Sequence, residues 1–274
     1  MNRLGFACIA LSFFPATLAA QVPPNAKVFK DLTARFQPGA EQVRVVFYTY
    51  QPKQQGIGVV LLSGSGKLLG KADDLDANTV DPATGVYDVG AGVPDIILAS
   101  GVGAKTHDVK IFSFQDSELK EIFNWSGWHF EVVRLRGQPV IAVTDTDYST
   151  LPKLYTWKGG QFVEASQDFP EFFDKAVKDQ QDTIARTGLP LTSYVQACDL
   201  AAKALVYSKK YPDALNLCQQ ALKVVESSPG VLPNETNAGP DQFAGERREA
   251  AANIQDTLNA VTTAQREGAA NLRR

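Results

Sequence analysis

Histidine, cysteine and methionine are scarce: two, three and one of them in a chain of 274 residues. That scarcity removes several chemistries at once. His107 and His129 have no metal-ligand spacing to each other, and no Cys/His pair fits a nucleophile with its base. A Gly-x-Ser-x-Gly elbow is also missing. Neither sign of charge dominates, with 27 basic against 30 acidic residues. No broad basic surface for nucleic acid is therefore expected. Long apolar runs are missing beyond the start of the chain. The stretch from Leu4 to Phe14 is shorter than the roughly 20 residues that a bilayer span requires, so no stable membrane anchor is expected.

What stands at the start has a different meaning. Arg3, the apolar stretch, Pro15 and the small residues ending at Ala19-Ala20 have the order of a signal peptide over residues 1–20. The chain is expected to be exported, to a periplasm or to the medium. Cys8 lies inside that segment. Cys198 and Cys218 are then the cysteines left in a compartment where disulfides persist.

Two patterns divide the remainder. Residues 21–40 read as a linker. From 41 to 166 the chain consists of short β-branched and aromatic runs cut by Gly, Pro and Asp, such as "VRVVFYTY", "PDIILAS" and "VKIFSF", which predict strands. From 167 to 268 the apolar period becomes helical, starting with Phe169, Phe172, Phe173, Ala176 and Val177. A short tail occupies 269–274. The expected fold class is α+β: an antiparallel, propeller-blade-like β-repeat half, then a four-helix bundle.

The β half repeats itself. Ile96 in "PDIILA" matches Ile141 in "PVIAVT", and "KIFSFQDSELKEI" overlays "KLYTWKGGQFVEA", pairing Phe112 with Tyr155 and Phe114 with Trp157. Periods of 40 to 45 residues with several strands per unit are typical of propeller blades. "YDVGAGVPDIILASG", its aromatic strand and "WKGGQFVEAS" resemble degenerate FG-GAP/VCBS-type repeats of extracellular β-propellers. The resemblance implies calcium held by an Asp-rich loop before the inner strand, of which Asp88 and Asp95 remain.

"VVLLSGSGKLLGK" (59–71) has the look of a phosphate loop. Such a loop needs a leading Gly, a hydroxyl residue after the Lys and a following helix. Leu61 and Leu68 occupy the two required positions. The stretch is expected to be a hairpin turn.

Helices are predicted over 170–187, 194–209, 212–227 and 241–264, the second opening on a Ser193/Gln196 capping box. Val195 to Ser228 resembles one tetratricopeptide unit, with Ala202, Ala214 and Ala221 where two helices approach. Cys198 and Cys218 lie equally far from a turn near Ser208. They are expected to face each other and form a disulfide.

Two further stretches are candidate sites. "DDLDANTVD" places Asp74, Asp76, Asn78 and Asp81 as possible oxygen ligands of Ca²⁺; no other cofactor is expected. "FNWSGWHF" offers Trp125, Trp128 and His129 as a stacking platform. The functional expectation is an exported, non-catalytic binding or scaffolding protein with a protein or glycan partner. The alternative is a hydrolase of carbohydrate or phosphoester using paired carboxylates, with Asp145 and Asp147 as examples.

Overall fold

The computed structural model describes residues 21–50, 56–74, 79–90, 92–102, 106–146, 150–186, 188–227 and 240–271. The chain is α+β and forms two compact units. One holds the strands up to Glu164 and the other the helices from Ala165. Residues 1–20, which carry the expected signal peptide, lie outside the described residues.

In the first unit, β1 (Ala26–Ala34), β2 (Val43–Tyr50), β3 (Ile57–Leu62) and β4 (Leu68–Asp74) form an antiparallel meander in chain order. A second sheet is centred on β7 (Asp95–Val102). On one side it pairs with β5 (Thr79–Val80) and β6 (Gly85–Tyr87). On the other it pairs with β8 (Thr106–Gln115), which is followed by β9 (Glu118–Gly127). The third sheet is again a meander: β10 (His129–Leu135), β11 (Gln138–Thr144), β12 (Lys153–Lys158) and β13 (Gln161–Glu164). Strand β1 lies within the segment 21–40 that reads as a linker. Its apolar residues are interspersed with Lys27, Lys30 and Asp31 and are half-buried at best, the pattern of a charged edge strand.

The repeat is expressed in strand register. Ile96 pairs across the ladder with Phe112, and Ile141 pairs with Tyr155, so residues matched along the sequence are matched in position between the two sheets. The β8–β9 and β12–β13 connections turn through the same two-residue hairpin. Asp116 and Ser117 have φ of 53° and 63°, and Gly159 and Gly160 have 59° and 87°. Two positive φ values define the type I′ turn, which matches the twist of the strands it joins.

Successive residues of a strand point to opposite faces of its sheet, and β7 is apolar on both. Ile96 and Leu98 pack with Val45, Phe47, Val59 and Leu61 of the first sheet. Ile97 and Ala99 pack with Ile141 and Val143 of the third. The middle sheet is therefore buried on both sides. Fully burying a Val, Leu, Ile or Phe side chain is worth roughly 1.5–3 kcal/mol, and eleven buried residues form the first of these clusters and eight the second. The stretch 59–71 is a turn: Ser63 N–H donates to Lys67 O and Gly66 N–H to Ser63 O, each at 2.9 Å. A strand follows it, not a helix.

The second unit contains α1 (Pro170–Ile184), α2 (Leu191–Tyr207), α3 (Tyr211–Ser227) and α4 (Pro240–Asn271). Helix α2 begins before the expected capping box. Pro190 (φ −52°, ψ 142°) stands at its N-cap without a side-chain hydrogen bond, which leaves Ser193 inside the first turn. Proline fixes φ and supplies a rigid entry. Helices α2 and α3 are joined by a tight turn with Lys209 at φ 58°. There Lys209 N–H donates to Val206 O and Lys210 N–H to Leu205 O, at 2.9 and 2.8 Å, the bonding of a Schellman motif. Phe173 of α1 stacks on Tyr207 of α2 with centroids 4.5 Å apart.

The expected disulfide is absent. Cys198 and Cys218 are free and fully buried. A disulfide requires Cα atoms within about 4.4–6.8 Å, closer than the 8–10 Å typical of packed helix axes. Ala201, Ala202, Ala204, Ala214 and Ala221 are buried in the same core, and there the thiols act as small apolar fillers. Burial pushes both up, to about 11.

Candidate functional site

The helical unit carries a groove of about 510 Å³ between α2 and α4, within the roughly 300–1,000 Å³ of ligand sites. The α2–α3 turn reverses the chain. Gly268 near the end of α4 adjoins Tyr211 at the start of α3, which reverses it again. Helices α2 and α4 consequently run side by side in the same direction. Helical periodicity brings Glu246, Glu249, Asn253, Asp256 and Ala260 onto one stripe of α4, since residues three and four apart are neighbours. Leu191, Val195, Asp199 and Lys203 form the facing stripe of α2.

Asp199 fixes the middle of the groove. Its Oδ1 accepts from Thr257 Oγ1 at 2.6 Å, across the two helices, and its Oδ2 pairs with Lys203 Nζ at 2.6 Å. Thr257 is buried, and its hydroxyl is shared with the Asn253 carbonyl one turn back at 3.0 Å. Val195 and Ala250 are buried beside it and supply an apolar floor. Glu249 and Asp256 are exposed along the rim.

The β unit carries three separate polar clusters. In the first, Tyr48 and Tyr50 both donate to Asp73 Oδ1, and Lys71 pairs with its Oδ2 at 3.0 Å. Burial, reinforced by the carboxylate, raises the pKa of both phenols. In the second, His107 Nδ1 lies 2.9 Å from Asp81 Oδ2, while Asp81 Oδ1 accepts the Ala83 N–H at 2.7 Å. In the third, Asp145 receives the Trp125 indole N–H at 3.1 Å and an ion pair from Lys153. The hydrogen bond from Lys153, then that from Trp125, holds the Asp145 carboxyl below its usual range.

A fourth carboxylate differs from these. Asp95 is fully buried at the start of β7, opposite Tyr87. Neither of its oxygens closes a well-directed hydrogen bond, and the nearby Ser113 hydroxyl is equally unmatched. Desolvation raises its pKa to about 7, and the charge of Asp88 adds to that, although Ser113 and the Val89 N–H still favour the ionised form. Asp88 itself accepts from Gly90 N–H at 2.9 Å.

The residues expected to hold calcium are described only in part. Asp76 and Asn78 lie outside the described residues. Asp74 ends β4, and Asp81 is committed to His107 and Ala83. Among the described residues, no three His, Cys, Asp or Glu side chains come together to hold a metal ion.

The three residues of the expected aromatic platform lie at the crossing from β9 into β10. Trp125 is half-buried against the core between the second and third sheets. Its indole lies over Gly127, where an added Cβ would meet the ring. Trp128 follows at the crossing into β10, where its N–H donates to Thr144 O at 2.8 Å. His129 is exposed at the start of β10.

Sequence reasoning missed the groove. The signal available for it was the polar stripe at 246, 249, 253 and 256, beside the apolar face of the same helix. No protein-family model matches the chain, and no curated protein matches it either.

Proposed function

We propose that the protein is an exported, non-catalytic binding or scaffolding module acting on a protein or glycan partner. The groove between α2 and α4 carries this reading. It has an apolar floor and a polar rim, and its two walls are tied together by the Asp199–Thr257 bond. Such a surface suits recognition of a partner better than bond cleavage.

The β unit supports the same reading. Three face-packed sheets, the second and third sharing register and a type I′ turn, favour the FG-GAP/VCBS-like, propeller-blade assignment of the repeats. The Schellman-capped α2–α3 hairpin with alanines at its interface favours the tetratricopeptide-like assignment. A hydrolase of glycosides would use two carboxyl groups roughly 5–10 Å apart around a cleft. Asp73, Asp81 and Asp145 each already accept hydrogen bonds or an ion pair from their own neighbours. Export rests on the N-terminal sequence pattern. Among the described residues no helix is long and apolar enough to cross a membrane.

The test is affinity capture from periplasm or culture medium with the wild-type chain and with Ala250→Trp, which fills the groove floor. A partner retained by the wild type and lost by the variant, with helicity unchanged by circular dichroism, is the expected result. A partner held equally by both would move the binding surface elsewhere.

A further inference from the structure

The chemistry of the groove narrows what it takes, granted that it is a binding site. Four carboxylates line it, from Asp199, Glu246, Glu249 and Asp256, against one ammonium, from Lys203. The chain as a whole is nearly balanced, with 27 basic against 30 acidic residues, so the excess in the groove is local. Lys203 is already spent on Asp199, and no other Lys or Arg lines the groove among the described residues.

Placement matters as much as number. Glu246 and Glu249 flank one end of the groove, opposite Leu191. Asp256 stands two turns further along α4, about 10 Å away at 1.5 Å per residue. Between them the floor is apolar, with Val195 and Ala250 both buried. A ligand matching this pattern carries positive charge at two points about 10 Å apart, with small or branched aliphatic groups between them.

We infer that the α2–α4 groove binds a cationic peptide segment of a partner protein, with Arg or Lys side chains on the Glu246/Glu249 pair and on Asp256, and aliphatic side chains against Val195 and Ala250. The groove is open along its length between two parallel helices, which suits a continuous chain. Arginine suits the rim best, because its planar guanidinium matches a carboxylate in two parallel hydrogen bonds.

The experiment uses the full chain and a fluorescein-labelled peptide, Ala-Arg-Leu-Ala-Leu-Arg-Ala, followed by anisotropy at low and at moderate salt. The controls are the same peptide with Glu for Arg, and spermine as competitor. Saturable binding of the Arg peptide is expected, at least about tenfold tighter than the Glu peptide and weakening with salt. Glu246→Lys with Glu249→Lys should lower the affinity by about tenfold or more, and both positions tolerate charge on the rim. Equal binding of the two peptides, no binding, or an unchanged affinity in the double variant overturns the inference. Displacement by spermine at the peptide's own concentration also overturns it, in favour of a free polyamine. If Ala250→Trp loses a captured partner while the Arg peptide does not bind, the groove is still a binding site and only the cationic assignment fails.

Discussion

Tyr48 and Tyr50 donate to one and the same oxygen of Asp73, at 2.5 and 2.7 Å. Two residues apart on β2, they share a face of the sheet. Their rings meet edge to face at 5.6 Å, and the carboxylate reaches both from β4. Tyr48 is fully buried, so its hydroxyl has no recourse to water if the acceptor is removed. Replacing Asp73 with Ala should cost about 2–4 kcal/mol, and Tyr50→Phe about 1 kcal/mol, because Tyr50 is only half-buried. Urea denaturation of the two variants checks the order.

Gly58 lies under the same cluster. A Cβ there would sit 2.5 Å from the Tyr48 ring and closer still to Asp73 Oδ1. Gly58→Ala should therefore destabilise by about 1–3 kcal/mol through overpacking. Pairing it with Tyr48→Phe should recover little, because the ring remains; the thermal midpoints of the single and double variants decide.

Asp95 gives the fold a dependence on pH. Burial raises its folded pKa to about 7, well above the ordinary carboxylate range. Stability from this residue is fully present below the unfolded pKa and is lost as pH rises through the folded one. Between about pH 4 and 7 the unfolded chain has released the proton that the native state still holds. At about 1.4 kcal/mol per unit, the native state should lose on the order of 2–4 kcal/mol from pH 4 to pH 8. Asp95→Asn should remove most of that slope. Chemical denaturation at several pH values measures it; a slope unchanged in the variant would show that the carboxyl is ionised throughout.

Cys198 and Cys218 should behave as inert thiols. Burial raises both to about 11, and the thiolate is the reactive form. Labelling without reductant should be slow on the native chain and should reach two thiols per chain after denaturation. Zero labels in a denatured, non-reduced monomer would restore the disulfide.

The Asp116-Ser117 hairpin holds two L-residues at positive φ, where its repeat counterpart has Gly159-Gly160. A non-glycine residue in that region carries strain. Ser117→Gly should stabilise the protein by about 0.5–1 kcal/mol, read as a rise in thermal midpoint.

Those two hairpins also show what was legible in the chain alone. The likeness between the two stretches was readable because β7 and β11, and β8 and β12, are paired in the same way within their two sheets and therefore meet similar demands for apolar residues. Strand β1 was not, because an edge strand is half-buried and its lysines dilute the alternation. The start of α2 was displaced because Pro190 sets the entry geometry without the side-chain cap that a capping box requires. The cysteine pair was placed correctly in the α2–α3 core but not bonded, since symmetry about a turn gives a facing position and says nothing of helix separation. The groove was invisible for a related reason. A polar stripe on one helix acquires meaning only when α2 lies beside it, and that adjacency is tertiary.

Each of the three sheets is assembled from strands consecutive in the chain, with no strand borrowed from a distant segment. Pairing of this kind closes short loops and keeps contact order low, which favours fast folding. For a chain that emerges from its N-terminus during synthesis, it has a further value. The first sheet can form before later strands are made, and β7 arrives onto an apolar face already prepared for it. Until the third sheet follows, Ile97 and Ala99 are uncovered, so the interval between the emergence of β7 and of β11 is when the chain is most open to aggregation.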